Sequence, residues 1–531
     1  MNADERLLSH VHPPHWRNPT PKPVYDLVVI GGGTAGLVCA AGAAGLGARV
    51  ALIERSRLGG DCLNTGCVPS KALLRSARAV GEARAGEDVG VLAVTHPDFT
   101  AVMRRLRERR ADIAPHDSAE RLRQLGVDVF FGQAAFRDAR AISVNSNSNP
   151  RNGPNNPNVA PNGPNAPNAP NDPNVASNGP NAPNAPNDPN DPNVLRFRKA
   201  VIATGSRPAV PPIPGMDAVP HLTSETVFDL AHQPRSLAVV GGGPVGCELA
   251  QAFARLGTHV TLIEASGQLL PREDADAAAI VAGALAADGV DVMTAVEVNA
   301  AEQAGAGVAL LHAGGRITAD ALLVATGRVA PVAGLRLDAA GILSNPHGIV
   351  VDDRLRTTNP RVYAAGDVAS RYQFTHAADA LARIVVRNAL FFGRQAASRL
   401  VIPWCTFTSP QVAHVGITSL EAEKRAVATI TVPLSEVDRA VIDDETAGFL
   451  RIHHQRGRIL GATVVAHGAG ELIGTIAASM QAGLTLAQLS GVVFPYPTLS
   501  TALRQAADAF QRTRLTRVAR KVLEYYFRRS G

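Results

Sequence analysis

The chain has 531 residues, of which 46% are hydrophobic, and its formal net charge is +6. This length allows several domains with a large buried core, and five cysteines in so long a chain exclude a secreted disulfide scaffold. No stretch approaches the ~20 apolar residues of a membrane span, and the basic excess lacks the interleaved aromatic residues typical of nucleic-acid binding. We therefore predict a cytoplasmic protein with no membrane span and no nucleic-acid partner.

Residues 1–23 are predicted to form a flexible tail. The segment is polar and contains no apolar run of the kind found in a signal peptide. His10, His12 and His15 lie close together, but no Cys or carboxylate nearby completes a tetrahedral set of ligands. We therefore predict no metal site in this segment, and none elsewhere in the chain.

An internal repeat follows the tail. Residues 26–30 are typical of a buried strand, and after it come a glycine-rich turn, an Ala-rich helix, a second strand and a terminal acid. Residues 237–240 begin a second copy of the same pattern. The matched residues, each pair separated by 210 positions, are Gly31 and Gly241, Gly33 and Gly243, Gly36 and Gly246, and Glu54 and Glu264.

Three glycines at this spacing are typical of a dinucleotide-binding βαβ unit. The first allows a tight turn, the second lets the backbone approach a pyrophosphate, and the third permits close packing of helix on strand. Turns used for packing alone are the alternative, but duplication with matched acids favours two bound nucleotides. A carboxylate at Glu264 would repel a 2′-phosphate, so NADH is predicted to be preferred, although Arg272 could soften that preference.

Two cysteines lie shortly after the first acid. They belong to the run Gly59-Gly60-Asp61-Cys62-Leu63-Asn64-Thr65-Gly66-Cys67-Val68-Pro69-Ser70-Lys71, which begins five residues after Glu54. This placement sets a reactive dithiol beside a bound cofactor and suggests that electrons move between the two. Lys71 would share a helix face with Cys67, where its positive charge would favour a thiolate.

Residues 145–193 form a low-complexity tract of Asn, Pro, Ala, Gly and Asp. Such a tract cannot bury enough apolar surface to offset the entropy lost on ordering, so a disordered surface loop is predicted. Its flanks, residues 141–144 and 194–197, are predicted to be two strands of one hairpin. A hairpin tolerates this insertion because the cost of loop closure grows only slowly with length.

The cysteine run resembles the redox-active segment of the pyridine nucleotide-disulfide oxidoreductases. That family includes dihydrolipoyl dehydrogenase, glutathione reductase and mercuric reductase. The resemblance covers about residues 24–515 apart from the low-complexity tract, and it includes residues 203–205, 325–328, 357–367 and 494–498.

The resemblance implies an α/β fold with two Rossmann-like, doubly wound nucleotide-binding domains and a C-terminal α+β dimerisation domain. It places the first part of the FAD-binding domain at residues 24–234 and the NAD(P)-binding domain at 235–328. The implied remainder is the second part of the FAD-binding domain at 329–402 and the dimerisation domain at 403–515. A basic tail at 516–531 follows the region of resemblance.

The resemblance also implies two sets of cofactor-binding residues. In the first set, Glu54 would bind the adenosine ribose and Asp367 the ribityl chain, whereas His376 could instead be an ordinary residue at a helix start. The FAD set is Gly31, Gly33, Gly36, Glu54, Gly60, Lys71, Thr204, Gly205, Gly366, Asp367 and His376. The NAD(P)H set is Gly241, Gly243, Gly246, Glu264 and Gly327.

By the same resemblance, Cys67 lies against the flavin and Cys62 exchanges with the substrate. The family pairs the lysine at Lys71 with a glutamate, which here matches Glu248. The alternatives are a solvated surface lysine and an acid that complements a helix dipole. Cys39, Cys247 and Cys405 occur singly in apolar patterns and are interpreted as buried small hydrophobic residues.

The C-terminal segment departs from two members of the family. Dihydrolipoyl dehydrogenase and glutathione reductase carry a His base oriented by a Glu, whereas this chain has Tyr496 and Thr501 at those positions. A phenol of pKa ~10 is a poor base near neutral pH. Tyr at this place is similar to mercuric reductase, but the vicinal Cys pair of that enzyme is not matched, because Cys405 is the last cysteine.

We therefore predict a homodimeric FAD enzyme with a redox-active disulfide formed by Cys62 and Cys67. It would use NAD(P)H to reduce a small-molecule or metal-ion acceptor such as Hg(II), with Tyr496 of the partner subunit approaching Cys62. The alternatives are a dihydrolipoyl dehydrogenase and a redox-sensing flavoprotein that acts by binding a partner. The basic tail is interpreted as a solvated helix face, with contact to a membrane surface or an acidic partner as the alternative.

Overall fold

A computed structural model describes residues 1–145 and 193–530. The predicted disordered loop, residues 145–193, lies outside the described residues apart from its first and last positions. The described part is a mixture of helices and strands, whose α-helices are numbered here in chain order. They are α1 (Ala3–Val11), α2 (Thr34–Gly45), α3 (Gly60–Asn64), α4 (Cys67–Arg84), α5 (Phe99–Ile113), α6 (Ala119–Gln124), α7 (Pro244–Arg255), α8 (Ala275–Ala287), α9 (Thr375–Leu390), α10 (Ser419–Lys424), α11 (Asp438–Ile442), α12 (Ala469–Gln481), α13 (Leu486–Leu489), α14 (Thr501–Thr513) and α15 (Arg517–Ser530).

The strands are numbered in the same way. They are β1 (Tyr25–Ile30), β2 (Val50–Glu54), β3 (Val127–Phe131), β4 (Gln133–Asp138), β5 (Ala141–Asn145), β6 (Val194–Ile202), β7 (Arg207–Pro208), β8 (Ser236–Val240), β9 (His259–Ile263), β10 (Val290–Met293), β11 (Val298–Ala304), β12 (Gly307–His312), β13 (Gly315–Ala319), β14 (Ala321–Val324), β15 (Arg328–Val329), β16 (Ser344–Asn345), β17 (Gly348–Ile349), β18 (Val362–Ala364), β19 (Pro403–Thr406), β20 (Gln411–Gly416), β21 (Ala428–Pro433), β22 (Phe449–Gln455) and β23 (Arg458–Ala466).

The chain divides into two compact units. The first consists of Met1–Asn64, Arg110–Arg207 and Val329–Ala397. Its sheet runs in the order β3-β2-β1-β6-β5-β4, with β18 also paired to β6. The strands β3, β2, β1, β6 and β18 are parallel, and α2 packs against α9 beside them. Parallel strands bring their carboxyl ends to one edge of the sheet, and it is there that the first glycine turn and Glu54 lie.

The second unit consists of Thr65–Arg109, Pro208–Arg328 and the residues from Ser398 onward. It contains a parallel sheet in the order β10-β9-β8-β14, an antiparallel sheet β11-β12-β13, and a five-stranded antiparallel sheet β19-β20-β23-β22-β21. The helix α4 packs against α7, which follows β8. One hydrophobic cluster joins the residues of α4, α5 and α7 with the second glycine unit. These contacts group residues 65–109 with the second unit, although the predicted FAD-binding domain includes them in 24–234. The predicted domain boundaries therefore stay a prediction.

The prediction of a flexible tail over residues 1–23 is wrong. A capping box between Asn2 and Glu5 closes the start of α1, and Leu7 and Val11 are buried. These two aliphatic residues lie four positions apart, so they share one face of the helix. Burial of each contributes about 1.5–3 kcal/mol, which offsets the entropy lost when the segment is ordered.

The residues that follow α1 are also packed on the first unit. The ring of His12 stacks on Phe131 with 4.2 Å between centroids. Asn18 donates to the Phe131 carbonyl at 2.9 Å and accepts from its amide at 2.8 Å. Trp16 Nε1 donates to the Val129 carbonyl at 3.1 Å. His12, Trp16 and Asn18 therefore contribute to packing on the first unit.

Both flanks of the low-complexity tract form the predicted hairpin. Strand β5 pairs antiparallel with β6, with Ile142 opposite Leu195 and Ser143 opposite Val194. The amide of Val144 donates to the Asn193 carbonyl at 2.8 Å, which extends the pairing to residue 193, where the second described range begins. The prediction for the flanks is therefore confirmed.

The basic segment 516–531 contains the helix α15. Its side chains from Arg517 to Arg528 are exposed except for Ala519, which is half-buried. Among the helices that the structure describes, none combines the length and the apolar content needed to cross a membrane.

A buried histidine links three elements of the second unit. His453 of β22 contacts the Thr429 hydroxyl through Nδ1 at 2.9 Å and the Ser419 hydroxyl through Nε2 at 3.3 Å. Ser419 in turn donates to Asp274 at 2.6 Å, and Arg451 pairs with the same carboxylate. Burial lowers the pKa of His453 to about 4, so the folded chain holds this imidazole neutral near pH 7.

Acidification should destabilise the fold through His453. The unfolded chain takes up this proton near pH 6.5, whereas the folded chain takes it up only near pH 4. The free energy of unfolding should therefore fall as the pH is lowered through that window. Urea midpoints of the wild type and of His453→Gln at about pH 7 and about pH 5 measure this. The variant should show a smaller drop, and the exposed His259→Gln should behave like the wild type; an equal drop in all three proteins would contradict the assignment.

Candidate active site

The first glycine turn connects β1 to α2 in the first unit. Gly31 has φ +103°, and a Cβ on it would lie 2.4 Å from the Ala203 carbonyl oxygen. A Cβ on Gly36 would lie 1.8 Å from the oxygen of Gly31, so the helix can approach the strand only because both positions are glycine. Gly33 is the N-cap of α2 and lies against Gly60, where a Cβ would be 2.7 Å from the Gly33 Cα.

The carboxylate of Glu54 organises this turn. One oxygen accepts from the Gly32 amide at 2.6 Å, and the other accepts from the Ser56 amide at 2.7 Å. Burial raises the pKa of Glu54, and the two amides counteract the effect by stabilising the charged form. The acid is therefore held in place at the end of β2, at the position expected for a ribose-binding group.

The second glycine turn, between β8 and α7, repeats this geometry in the second unit. A Cβ on Gly241 would lie 2.5 Å from the Ala325 oxygen, and one on Gly246 would lie 1.8 Å from the Gly241 oxygen. Glu264 accepts from the Gly242 amide at 2.6 Å and from the Ser266 amide at 2.7 Å. Gly243 caps α7, and Gly327 has φ +134° after β14. The contacts at the two acids agree to 0.1 Å across the repeat.

Four further predicted FAD residues lie near the ends of β6 and β18. Ser206 donates to the Asp367 carboxylate at 2.6 Å. Gly366 has φ +81°, and a Cβ on it would contact α2 at Ala35 and α9 at Ala378. The Thr204 hydroxyl is buried and has no hydrogen-bond partner among the residues that the structure describes. Gly205, with φ +66°, follows it directly.

His376 lies at the start of a helix. His376 is the second residue of α9. Its ring stacks on Phe374 with 5.5 Å between centroids. This contact is local, and the part that His376 plays at a cofactor stays a prediction.

The segment that carries Cys62 is held by its neighbours in the first unit. Cys62 is half-buried in the short helix α3. Two residues later, Asn64 donates to the Gly60 carbonyl at 2.8 Å, and its own carbonyl accepts from Arg110 at 2.9 Å. The buried Arg110 is paired in turn with Asp4 at 2.8 Å. The N-terminal helix α1, which supplies Asp4, therefore helps to fix the loop that carries this cysteine.

Cys67 is the first residue of α4 in the second unit and is exposed. The first turn of a helix leaves amide groups without intrahelical partners, and these favour negative charge such as that of a thiolate. Lys71 follows one turn later on the same helix. The helix thus begins with the sulfur atom and places a cation on the face next to it.

Lys71 and Glu248 form the predicted pair. Lys71 Nζ donates to Glu248 Oε2 at 2.8 Å, and its ammonium lies 4.4 Å from the centroid of the Phe407 ring. The other Glu248 oxygen accepts from the Phe407 amide at 2.8 Å. The Glu248 side chain is only 7% exposed, so these contacts replace most of the water that the carboxylate would otherwise bind.

Tyr496 lies apart from these groups along the chain, in the segment before α14. Its side chain is 69% exposed, and its hydroxyl donates to the Asp438 carboxylate at 2.9 Å. The hydrogen bond to Asp438 raises the pKa of Tyr496 above its ordinary value. Deprotonation is therefore even harder than for a free phenol, which agrees with the expectation that Tyr496 is a poor base.

The lone cysteines are largely as predicted. Cys39 and Cys247 are buried, and burial raises the pKa of both thiols, that of Cys39 to about 12. Cys405 is half-buried rather than fully buried, and burial also raises its pKa to about 12. A thiol with such a pKa is not a nucleophile near neutral pH.

Sequence reasoning missed several residues that complete the site. Ser56 and Ser266 are themselves separated by 210 positions, so the repeat offered a signal for them. Phe407 carried no such signal, because its contribution to Glu248 is made through a backbone amide. The residues that were missed are Gly32, Gly242, Ser56, Ser266, Ser206, Arg110, Phe407 and Asp438.

Comparison with known proteins decides the family. Residues 25–382 match the family described as pyridine nucleotide-disulphide oxidoreductase, and residues 402–507 match its dimerisation domain. The chain belongs to the pyridine nucleotide-disulphide oxidoreductase family. It is therefore an oxidoreductase, the predicted fold class is confirmed, and the dimerisation domain supports the predicted homodimer.

Curated members of the family that are similar to the chain include mercuric reductases. The protein from Acidithiobacillus ferrooxidans is 35% identical over 494 residues, which cover 92% of this chain and 82% of that protein. The protein from Streptomyces lividans is 34% identical over 497 residues, which cover 92% of this chain and 96% of that protein.

Solved structures of the family are similar in the same range. The HOCl-induced flavoprotein disulfide reductase RclA from Escherichia coli has a TM-score of 0.75 and 29% identity, and covers 91% of this chain and 99% of its own. A Cu(II) complex of RclA matches equally well. LpdA from Mycobacterium tuberculosis has a TM-score of 0.75 and 26% identity over 91% of this chain and 99% of its own.

Family membership implies FAD and NAD(P)H, and the residues present fit both groups. Each glycine turn has two glycines at which a Cβ would collide with a backbone oxygen. They are Gly31 and Gly36 in the first turn and Gly241 and Gly246 in the second. Each turn also ends at a helix N-terminus, which favours a pyrophosphate. The buried Thr204 hydroxyl, without a partner among the described residues, is a polar group that a ligand in the first unit would satisfy.

The Lys71–Glu248 pair should contribute measurably to stability. We expect a coupling free energy of about 1–3 kcal/mol from a double-mutant cycle of Lys71→Met and Glu248→Gln, below the value for fully buried pairs because Lys71 is 36% exposed. Urea unfolding of the wild type, both single variants and the double variant gives this coupling. Asp379 and Arg383, an exposed pair on α9, supply the control, for which about 0.3–0.5 kcal/mol is expected. A coupling no larger than that control would show that the pair is not energetically special.

Proposed function

We propose that the chain is an NADH-preferring flavoprotein reductase that passes electrons through Cys62 and Cys67 to a thiol-reactive acceptor such as Hg(II). The observation that carries this proposal is the cation at Lys71, one turn beyond the sulfur of Cys67 and locked to the buried Glu248. The mercuric reductases that match 92% of the chain support the choice of acceptor.

The residues of the chain have separate parts in this proposal. Glu54 and Glu264 would hold the two nucleotides by their riboses, and the glycine turns would receive the pyrophosphates. Bound FAD would supply the transfer of an electron pair from the nicotinamide to the sulfur pair. Cys67, at the N-terminus of α4, would be held as a thiolate, and Lys71 would keep positive charge beside it. The Asp367 carboxylate, which accepts from Ser206, would bind the ribityl chain.

Tyr496 favours a metal ion over a dithiol as the partner of the cysteines. A dithiol substrate must lose protons before its sulfur atoms attack a disulfide, and this requires a base near neutral pH. The Tyr496 phenol cannot serve, because it donates to Asp438 and its pKa is raised. Hg(II) needs no such base, since it binds thiolates directly and takes up two electrons to become the neutral metal. The hydride of NAD(P)H provides both electrons, and one proton is released.

The acceptor can be identified by parallel assays. NADH oxidation by the purified flavoprotein should be fastest with Hg(II) among Hg(II), Cu(II), lipoamide, glutathione disulfide and quinones. Cu(II) belongs in the series because one of the similar solved structures is a Cu(II) complex of RclA. Cys62→Ser and Cys67→Ser should each lower kcat with Hg(II) by about a hundredfold or more, a barrier change of about 3 kcal/mol.

Cys405→Ser is the matched control for these substitutions, because the Cys405 thiol is held protonated and the variant should keep full activity. Full turnover in Cys62→Ser would exclude the dithiol mechanism. Turnover with lipoamide as fast as with Hg(II) would instead support the dihydrolipoyl dehydrogenase alternative.

The nucleotide preference depends on Glu264. We expect a higher kcat/KM with NADH than with NADPH. Glu264→Gln should shift the ratio toward NADPH by about tenfold to a hundredfold, because a hydrogen bond to a charged group contributes about 1.5–3 kcal/mol. Glu297→Gln removes an exposed carboxylate from the same unit and should leave the ratio unchanged. A wild-type preference for NADPH would overturn this part of the proposal.

A further inference from the structure

The helix α15 presents an apolar surface to solvent. Tyr525, Tyr526 and Phe527 are 59%, 62% and 66% exposed, and Val518 and Val522 are also exposed. A helix that is simply solvated rarely exposes so many aromatic and aliphatic side chains next to one another. A contiguous exposed apolar patch of this kind is typical of a contact site. The interpretation as a solvated face therefore explains the basic residues of α15 but not its aromatic ones.

The charged side chains that the structure describes in α15, over residues 517–528, fall on a different face. Arg517, Lys521, Glu524 and Arg528 recur at intervals of three or four residues, and Arg520 lies among them. All five are exposed. Over residues 517–528 the helix is thus divided into an apolar face and a basic face, with one acid among four cations. It lies beyond residue 507, where the match to the family's dimerisation domain ends.

We propose that α15 binds the surface of an anionic phospholipid membrane. A helix with Lys and Arg on one face and Tyr, Phe and Val on the other lies in the plane of the membrane interface, with its apolar side at the level of the acyl chains. Aromatic rings such as those of Tyr525 and Tyr526 are favoured at this depth. The basic face would meet the lipid phosphates.

The dimensions agree with a helix that lies on the membrane. The 14 residues of α15 span about 21 Å, which is shorter than the ~30 Å hydrocarbon core of a bilayer. The five cations in its sequence would each be costly in the hydrocarbon, whereas at the surface each contributes to attraction by anionic headgroups. The helix would therefore anchor the protein at the interface without crossing it.

Charge argues against a second copy of the chain as the occupant of this surface. The chain as a whole carries a formal charge of +6, and a second α15 would bring its own basic face to the contact. Like charges at an interface oppose association. A membrane with anionic lipids complements both faces of the helix, whereas single-stranded RNA complements only the basic residues and the aromatic rings.

Flotation of the full-length flavoprotein with lipid vesicles tests the proposal. The wild type should float with vesicles of phosphatidylcholine containing about 30% phosphatidylglycerol and should bind much less to phosphatidylcholine alone. The triple variant Tyr525→Ser, Tyr526→Ser and Phe527→Ser, and the triple variant Arg520→Gln, Lys521→Gln and Arg528→Gln, should each bind about tenfold more weakly or worse. Binding should also weaken when salt is raised from about 0.05 M to about 0.5 M.

A third variant, Arg316→Gln, Arg394→Gln and Arg399→Gln, removes the same charge from exposed positions outside α15 and should bind like the wild type. Retained flavin absorbance and NADH oxidation in each variant would confirm that it is folded, since none of these residues belongs to the candidate active site. Wild-type binding to anionic vesicles that is absent, or that is unaffected by both α15 variants, would overturn the proposal.

Two other outcomes would also overturn it. A loss of oligomer mass in sedimentation, caused by the aromatic variant and unaffected by vesicles, would assign α15 to a second copy. Binding to single-stranded RNA that needs α15, without binding to vesicles, would assign it to nucleic acid.

Discussion

The close approach of backbone to backbone at the two glycine turns is the constraint on which the rest of the site depends. At Gly36 and Gly246 a Cβ would lie 1.8 Å from a carbonyl oxygen, so neither helix could reach its strand with any other residue. Within these tight turns, Glu54 and Glu264 each accept from an amide of the turn, both at 2.6 Å. A tight turn, a helix N-terminus and a fixed carboxylate thus arise together from one steric condition.

In the second unit the same steric condition also affects the position of Lys71, which lies one helical turn after Cys67. The turn sets the start of α7, and Glu248 projects from that helix two residues after Gly246. A carboxylate this deeply buried is costly unless its charge and lone pairs are matched. Lys71 and the Phe407 amide provide that match, and Lys71 is thereby held one turn beyond Cys67. The position of the Lys71 ammonium is therefore set by its hydrogen bond to the buried acid.

How far the sequence could predict this arrangement depended on the range of each interaction. The turns, their acids and the hairpin around the low-complexity tract followed from local pattern and from the repeat. The Lys71–Glu248 pair joins residues 177 positions apart, and only the resemblance to a family could suggest it. Phe407 contributes through its backbone amide, which donates to Glu248, and the type of a residue does not predict a contact of this kind.

The error over residues 1–23 has a different physical origin. Composition favoured disorder, but Asn2 and Glu5 have the spacing of a capping box, and Leu7 and Val11 have the spacing of one helix face. These few side chains outweighed the polar composition of the segment. A short helix is stable when one stripe of apolar residues is buried against the rest of the protein. Sequence alone does not reveal that surface.

The two ends of the proposed electron path differ in how tightly the protein holds them. Near Cys67, Lys71 and Glu248 are locked by a chain of short contacts, so substitution there would disturb charge and packing together. Tyr496, at the proposed acceptor end, is an exposed phenol held to Asp438 by a hydrogen bond that strengthens its hold on the proton. A group of this kind can shape an acceptor site or donate a hydrogen bond within it, but it cannot drive thiol chemistry by removing protons. In the proposed function, Tyr496 at the acceptor end therefore favours a thiophilic metal over a dithiol as the group that receives the electrons.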